Sequence, residues 1–254
     1  MPDTGPPPTP LWNPSNLNDP HAAADKALRV ERMFDAIAPT YERFNTIMTG
    51  GGDRRWRRRM VRAVLPEQGE WVLDVACGTG DVLRTFARLE PGLGGLIGLD
   101  FSAGMLAQAV NRPAGHPSAV WVRADALRLP LADQSVNIVS LAFGLRNFTD
   151  MPAALAEFHR VLAPGGRLVI LETGVPTAPG IREFHQLYTR YLLPWLGRLI
   201  ARDRVGAYRY LPASVATFAN ARQVCEAMRA AGFRRAYARR MMFGSVMLYL
   251  AKRS

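Results

Sequence analysis

The sequence predicts an α/β protein built on a doubly wound, mainly parallel seven-stranded sheet, with added helices before the sheet and a helical lid inserted over it. From Glu70 onward short apolar runs alternate with helical segments: "WVLDVA", "GDVLRTFARL", "GLIGLD", "AGMLAQAV", "AVWVRAD", "VNIVSLAF", "MPAALAEFHRVL", "GRLVILE". Continuous apolar strands alternating with helices imply a parallel sheet covered on both faces, and right-handed crossovers make it doubly wound. A final run, "RRAYARRMMFGSVMLYLAKRS", supplies two more strands and brings the count to seven.

Taken in order, the first 20 residues hold seven of the 19 prolines, so residues 1–25 are expected to form a disordered leader. Val30, Met33, Phe34 and Ile37 recur at helical spacing, Pro39 interrupts, and Tyr41, Phe44 and Met48 resume, which predicts two short helices ending at Gly50 to Gly52. "DRRWRRRMVRAVL" then sets Trp56, Met60, Ala63 and Val64 on one helical face and arginines on the rest, completing helices over 26–65. Residues 179–218 are rich in aromatics and break the alternation, so they are read as the helical insertion over the active site. "ARQVCEAMRAAGF" is the last helix, and residues 26–254 form one domain.

A chain of 254 residues is long enough for one large core, and 48% hydrophobic with 21% charged residues excludes wholesale disorder. The formal charge of +11 admits nucleic acid, an anionic membrane surface or a solvated arginine exterior. Cys77 and Cys225, far apart, make neither a disulfide framework nor a metal-ligand spacing, so a reducing cytoplasm fits and no metal is expected. No signal-peptide pattern opens the chain, and no apolar run approaches the length of a membrane span, since Pro194 and Arg198 break even "YLLPWLGRLI".

"VLDVACGTGD" is a strand followed by a glycine turn and a helix, a geometry that lets backbone approach an anionic or polar ligand. A dinucleotide fingerprint needs a third glycine where Leu83 stands, which disfavours NAD. Asp74 ends the first strand, Asp100 the second, and Asp125 follows the third. Each alone could be a cap or a turn, whereas three acids at successive strand ends mark a crevice of ribose- and base-binding type.

Read as D-x-x-x-G-x-G, with Ala76 in place of the usual first glycine, the turn resembles the first motif of class I, Rossmann-like methyltransferases that use S-adenosylmethionine. "VERMFDAIAPTYERFNTIMTGG", "RRWRRRMV", "LDVACGTGD", "FGLRNFTD" and "RVLAPGGRLVILE" stand in the order seen in the ubiquinone/menaquinone biosynthesis C-methyltransferase family, and the resemblance covers roughly residues 28–250.

The resemblance implies transfer of a methyl group from S-adenosyl-L-methionine to a ring carbon of a lipid-tailed quinol, with demethylmenaquinol first. It implies cofactor contacts at Asp74, Gly78, Thr79, Gly80, Asp100, Phe101, Met105, Asp125 and Ala126, and a catalytic set of Arg146, Asn147 and Tyr41. Arg146 suits an electrostatic role toward a phenolate, Asn147 could orient the ring oxygen, and Tyr41, His159 or His185 could relay the proton. Departures fall on the acceptor side: "ETGVPT" after the fifth strand, Ala142 for a serine, and "SVATFANARQV" without a proline after Phe218.

The six arginines between Arg54 and Arg62 could meet an anionic membrane, placing the protein in the cytoplasm and peripherally at the inner face of the membrane. A homodimer is compatible with the pattern, and no nucleic acid is expected as a partner. The competing readings are a methyltransferase for another aromatic molecule, an RNA methyltransferase using the positive charge, and a cofactor-binding scaffold without catalysis.

Overall fold

The computed structural model describes residues 11–13, 16–192 and 205–254. Three helices, α1 (Lys26–Ile37), α2 (Tyr41–Met48) and α3 (Gly52–Ala63), precede the sheet. Then come β1 (Trp71–Val75), α4 (Asp81–Leu89), β2 (Gly95–Asp100), α5 (Ala103–Val110), β3 (Ala119–Arg123) and β4 (Val136–Ala142). A 3-10 turn at Leu145–Asn147 leads to α6 (Met151–Val161), β5 (Leu162–Thr173) and α7 (Ile181–Leu187). The chain closes with α8 (Ala207–Thr217), α9 (Ala221–Ala230), β6 (Arg234–Met241) and β7 (Val246–Lys252).

The seven strands lie in the order β3-β2-β1-β4-β5-β7-β6. Six run in one direction, and β7 alone is inserted antiparallel, between β5 and β6. The order reverses between β1 and β4, so the loops after these strands diverge and open a crevice at their carboxyl ends. The acids at the ends of β1, β2 and β3 are thereby brought to one edge.

Periodicity accounts for the layers. Val82, Leu83, Phe86 and Ala87 form one stripe of α4, all buried against the sheet together with Met60, Val61 and Val64 at the end of α3 and just beyond it. The opposite face carries Ala154, Leu155, Phe158 and Val161 of α6, with Val224 and Met228 of α9. Complete burial of a side chain such as Phe86 contributes roughly 1.5–3 kcal/mol. A third cluster joins Met33 and Ile37 of α1, Phe44 of α2, and Tyr208 and Tyr210 of α8.

Two sequence expectations meet a different structure. The leader is packed where it is described: Trp12 is fully buried, stacks on Tyr210 with ring centroids 4.3 Å apart, and donates its backbone N–H to Val205 O. An indole buries more apolar area than ordering two or three residues costs, which is why a proline-rich segment can still dock. Residues 1–10 of that leader lie outside the described residues, as does part of the 179–218 insertion, 193–204. Arg57, counted with the exposed arginines of α3, is instead buried, and its Nη1 lies 2.6 Å from Asp53 Oδ2 and 3.1 Å from Asp81 Oδ2.

Candidate active site

An open cleft of about 850 Å³ occupies the crevice at the carboxyl edge of β1, β2, β3 and β4. Ala76, Gly78, Asp100, Phe101, Asp125 and Ala126 form its sheet side, and Ala27, Val30, Glu31 and Phe34 of α1 roof it. Tyr41, Phe143, Gly144 and Asn147 line the same cleft, so six of the nine expected cofactor residues and two of the three expected catalytic residues share one space.

The glycine turn gets its shape from neighbours as well as from backbone freedom. Gly80 caps α4 with φ +85°, and a Cβ there would stand 2.3 Å from the Trp121 ring, so any side chain is barred twice over. At Gly78, φ is +54° and a Cβ would meet nothing within 4 Å, leaving the backbone bare toward the cleft. Ala76 and Phe143 hold φ +50° and +60° without being glycines, at the ends of β1 and β4. Such strain next to a crevice is characteristic of functional sites.

Asp100 accepts hydrogen bonds from Gly78 N (2.7 Å) and Ser102 N (2.9 Å). Burial nonetheless pushes its carboxyl up to about 6, against those bonds. Asp74 is deeper: β1 and β4 set it opposite Ser140, whose hydroxyl donates to its Oδ1 at 2.6 Å. Its Oδ2 is buried without a partner among the described residues, and burial raises the group to about 7.

Thr79 is buried with its carbonyl taken by Arg84, and Met105 is buried at the cleft edge, its N–H capped by Ser102. Asp125 uses Oδ1 to cap Leu127 N at 2.9 Å and stays exposed. Of the expected cofactor residues, Asp74, Thr79 and Gly80 support the cleft from behind rather than line it.

Arg146 differs most from expectation. Its guanidinium does not line the cleft; Nη1 donates to Glu172 Oε1 (2.6 Å) and Phe143 O (2.8 Å), and Nε to Ser214 Oγ (3.3 Å). A buried cation must find a counterion and acceptors, and Glu172, itself fully buried, supplies the charge. Burial works against the guanidinium, and Glu172 outweighs it and holds the group protonated. Asn147 is the neighbour that reaches the cleft, its Oδ1 accepting from Tyr210 O–H at 2.9 Å.

Among the named histidines, His159 packs edge-on to Phe233, and neither it nor His185 lines the cleft.

Sequence reasoning passed over several members of the site. Asp35 of α1 accepts from Ser102 Oγ (2.6 Å) and Gly104 N (2.8 Å), tying the roof to α5. Lys26, buried at the other end of α1, donates Nζ to Arg146 O (3.0 Å) and Phe148 O. Burial, with Arg146 nearby, lowers Lys26 to about 8. Glu172 carried a readable signal, since it too is an acid near the end of an apolar strand; Asp35, Lys26 and Tyr210 carried none, because their roles arise from long-range contacts.

The residues fit S-adenosylmethionine. The bare Gly78 backbone admits close approach, Asp100 and Asp125 at the cleft wall suit ribose hydroxyls and the adenine amino group, and behind them Asp74 keeps an unpartnered Oδ2.

Comparison with known proteins agrees. Residues 22–253 match the ubiE/COQ5 methyltransferase family. A ubiquinone/menaquinone biosynthesis C-methyltransferase of Geobacter sulfurreducens is 38% identical over 232 residues, covering 90% of each chain. A demethylmenaquinone methyltransferase of Thermus thermophilus is 40% identical over 222 residues, covering 87% of this chain and all of that one. Among solved structures, a SAM-dependent methyltransferase of Thermotoga maritima superposes with TM-score 0.62 at 18% identity, over 88% of this chain and 99% of that one, which speaks for the fold alone.

Proposed function

The chain belongs to the ubiE/COQ5 methyltransferase family, and from that membership we propose that it methylates a ring carbon of a prenylated quinol, demethylmenaquinol first. It is a methyltransferase and its cofactor is S-adenosylmethionine. The observation that carries the acceptor reading is that Tyr41 and Asn147 line the same cleft as Asp100 and Asp125, so an aromatic ring at the first pair lies beside a cofactor at the second.

When bound, S-adenosylmethionine supplies an electrophilic methyl group on a sulfonium. The chain's own task is alignment and exclusion of water, and such orientation can contribute on the order of 7–11 kcal/mol. A quinol carbon becomes nucleophilic as its hydroxyl loses a proton. Asn147 holds the ring oxygen, and Tyr41 is the cleft residue placed to take part in removing its proton. Arg146, sequestered with Glu172, acts as a positioning residue that anchors the loop presenting Asn147.

The lipid tail argues for collecting the acceptor at a membrane surface. Among the described residues no helix is long and apolar enough to cross a membrane. Arg54, Arg55, Arg58, Arg59 and Arg62 are exposed on α3 and form a face suited to anionic headgroups.

The deciding experiment incubates the protein with labelled S-adenosylmethionine and a panel of acceptors, with mass analysis of products. Label in a prenylated quinol is expected; label only in a soluble phenol or in RNA would overturn the acceptor assignment.

A further inference from the structure

Asn147 can meet an acceptor oxygen with either end of its amide. The carbonyl end would accept a hydrogen bond, and so favour a neutral hydroxyl; the NH2 end would donate one, and so favour an oxyanion. Which end faces the cleft decides which form of the acceptor the site prefers.

We infer that Tyr210 is a positioning residue that settles this choice, its hydroxyl holding Asn147 Oδ1 so that the amide NH2 is turned toward the cleft. The inference rests on the reading that the acceptor's ring oxygen lies at Asn147. Tyr210 is itself outside the cleft lining and buried, and its O–H reaches Asn147 Oδ1 at 2.9 Å. The carbonyl end is therefore taken from behind, and Nδ2 makes no hydrogen bond among the described residues.

Tyr210 is held as a donor. Burial pushes its phenol up to about 12, with Glu172 adding to the rise and Arg146 opposing it, so it keeps its proton throughout the range in which a quinol ionises. The ring cannot swing away either: Trp12 stacks on it, and the Trp12 carbonyl lies 2.5 Å from where a Cβ on Gly206, next to α8, would stand. The leader thus reaches the acceptor site through one aromatic stack and one hydrogen bond.

The titratable groups around this pair are Tyr210 on α8, Arg146 on the 3-10 turn, Glu172 on β5 and Tyr41 on α2, with Lys26 of α1 and His21 of the leader beyond Arg146. Arg146 stays cationic through Glu172, so the guanidinium supplies no titration that would mimic an effect of Tyr210.

The test is a pH–rate profile for methylation of demethylmenaquinol by the wild type and Tyr210→Phe, which keeps the stack on Trp12. An amide free to rotate loses its preference for the oxyanion, so kcat is expected to fall about tenfold at low pH, and the deficit to shrink as pH rises and the quinol ionises unaided. The apparent pKa of the acceptor limb moves up, while the KM for S-adenosylmethionine is unchanged. In an Asn147→Ala background, Tyr210→Phe is expected to have no further effect.

A purely structural lesion would lower kcat equally at every pH. That outcome, or a Tyr210→Phe profile equal to wild type, overturns the inference while leaving the acceptor reading standing. If the wild type fails to methylate the quinol, the acceptor reading falls instead, and 4-nitrophenol decides the point: its bound, ionised fraction must drop in Tyr210→Phe, and equal fractions would overturn the role of Tyr210.

Discussion

The methyl group of Ala76 stands 2.8 Å from the position that a Cβ on Gly144 would occupy. The turns after β1 and β4 are therefore in contact across the cleft edge. Gly144 has φ −109°, which any residue can adopt, so its lack of a side chain answers to Ala76 rather than to backbone strain. Gly144→Ala is expected to cost about 1–3 kcal/mol from overpacking and to weaken S-adenosylmethionine binding. Adding Ala76→Gly should restore both, because it removes the clash and also relieves a φ of +50°. Denaturant titration and calorimetric cofactor titration of both single variants and the double would check it; strictly additive effects would show that the two residues do not meet.

Asp74 and Asp100 sit above the ordinary carboxyl range, at about 7 and about 6, because of burial. A carboxyl whose value is raised on folding favours the folded state most when protonated. Their contribution is full below the ordinary value of 3.8 and is lost as pH rises through 6 and 7. In the cofactor-binding role that the family resemblance implies for them, both groups act as anions, which gives cofactor binding the opposite sign. Affinity is expected to weaken as pH falls below about 7, and binding at pH 6 to release protons. Calorimetry in two buffers of different ionisation enthalpy reads the released protons directly; Asp100→Asn should reduce the release and weaken affinity by about 1.5–3 kcal/mol, the scale of a hydrogen bond to a charged group.

Arg146 and Glu172 are 6% and 0% exposed at their side chains and 2.6 Å apart. Glu172→Gln leaves a cation in a site with no other carboxylate bonded to it, and the expected loss is about 3–5 kcal/mol of stability. Replacing both partners, Arg146→Met with Glu172→Gln, should destabilise less than the two single changes summed. Turnover should be lost in all three variants, since the loop that presents Asn147 loses its anchor. Urea denaturation monitored by fluorescence gives the stabilities, and equal midpoints for Glu172→Gln and wild type would sink the idea.

Binding to vesicles tests the α3 face. Each exposed arginine near an anionic surface contributes about 1 kcal/mol, so Arg55→Gln with Arg59→Gln should weaken sedimentation with phosphatidylglycerol vesicles about thirtyfold. Neutral phosphatidylcholine vesicles and high salt should erase the difference. Arg57 belongs to a buried ion pair, so Arg57→Gln should lower stability rather than act through the membrane face.

The strands and sheet helices were legible because their period and glycine turns are local. Asp100, Asp125, Asn147 and Tyr41 were legible because a motif order marks them, and all four line the cleft. Arg146 was legible as a residue and illegible as a contact, because its partners Glu172 and Ser214 lie 26 and 68 positions away. The same holds for Trp12, whose proline-rich surroundings point to disorder while its burial depends on Tyr210.

Helix α1 roofs the cleft and is pinned at both ends, by Lys26 to the loop before α6 and by Asp35 to the start of α5. The pins therefore fix how closely a helix of 12 residues sits over whatever the cleft holds, so two contacts made outside the cleft floor set its depth.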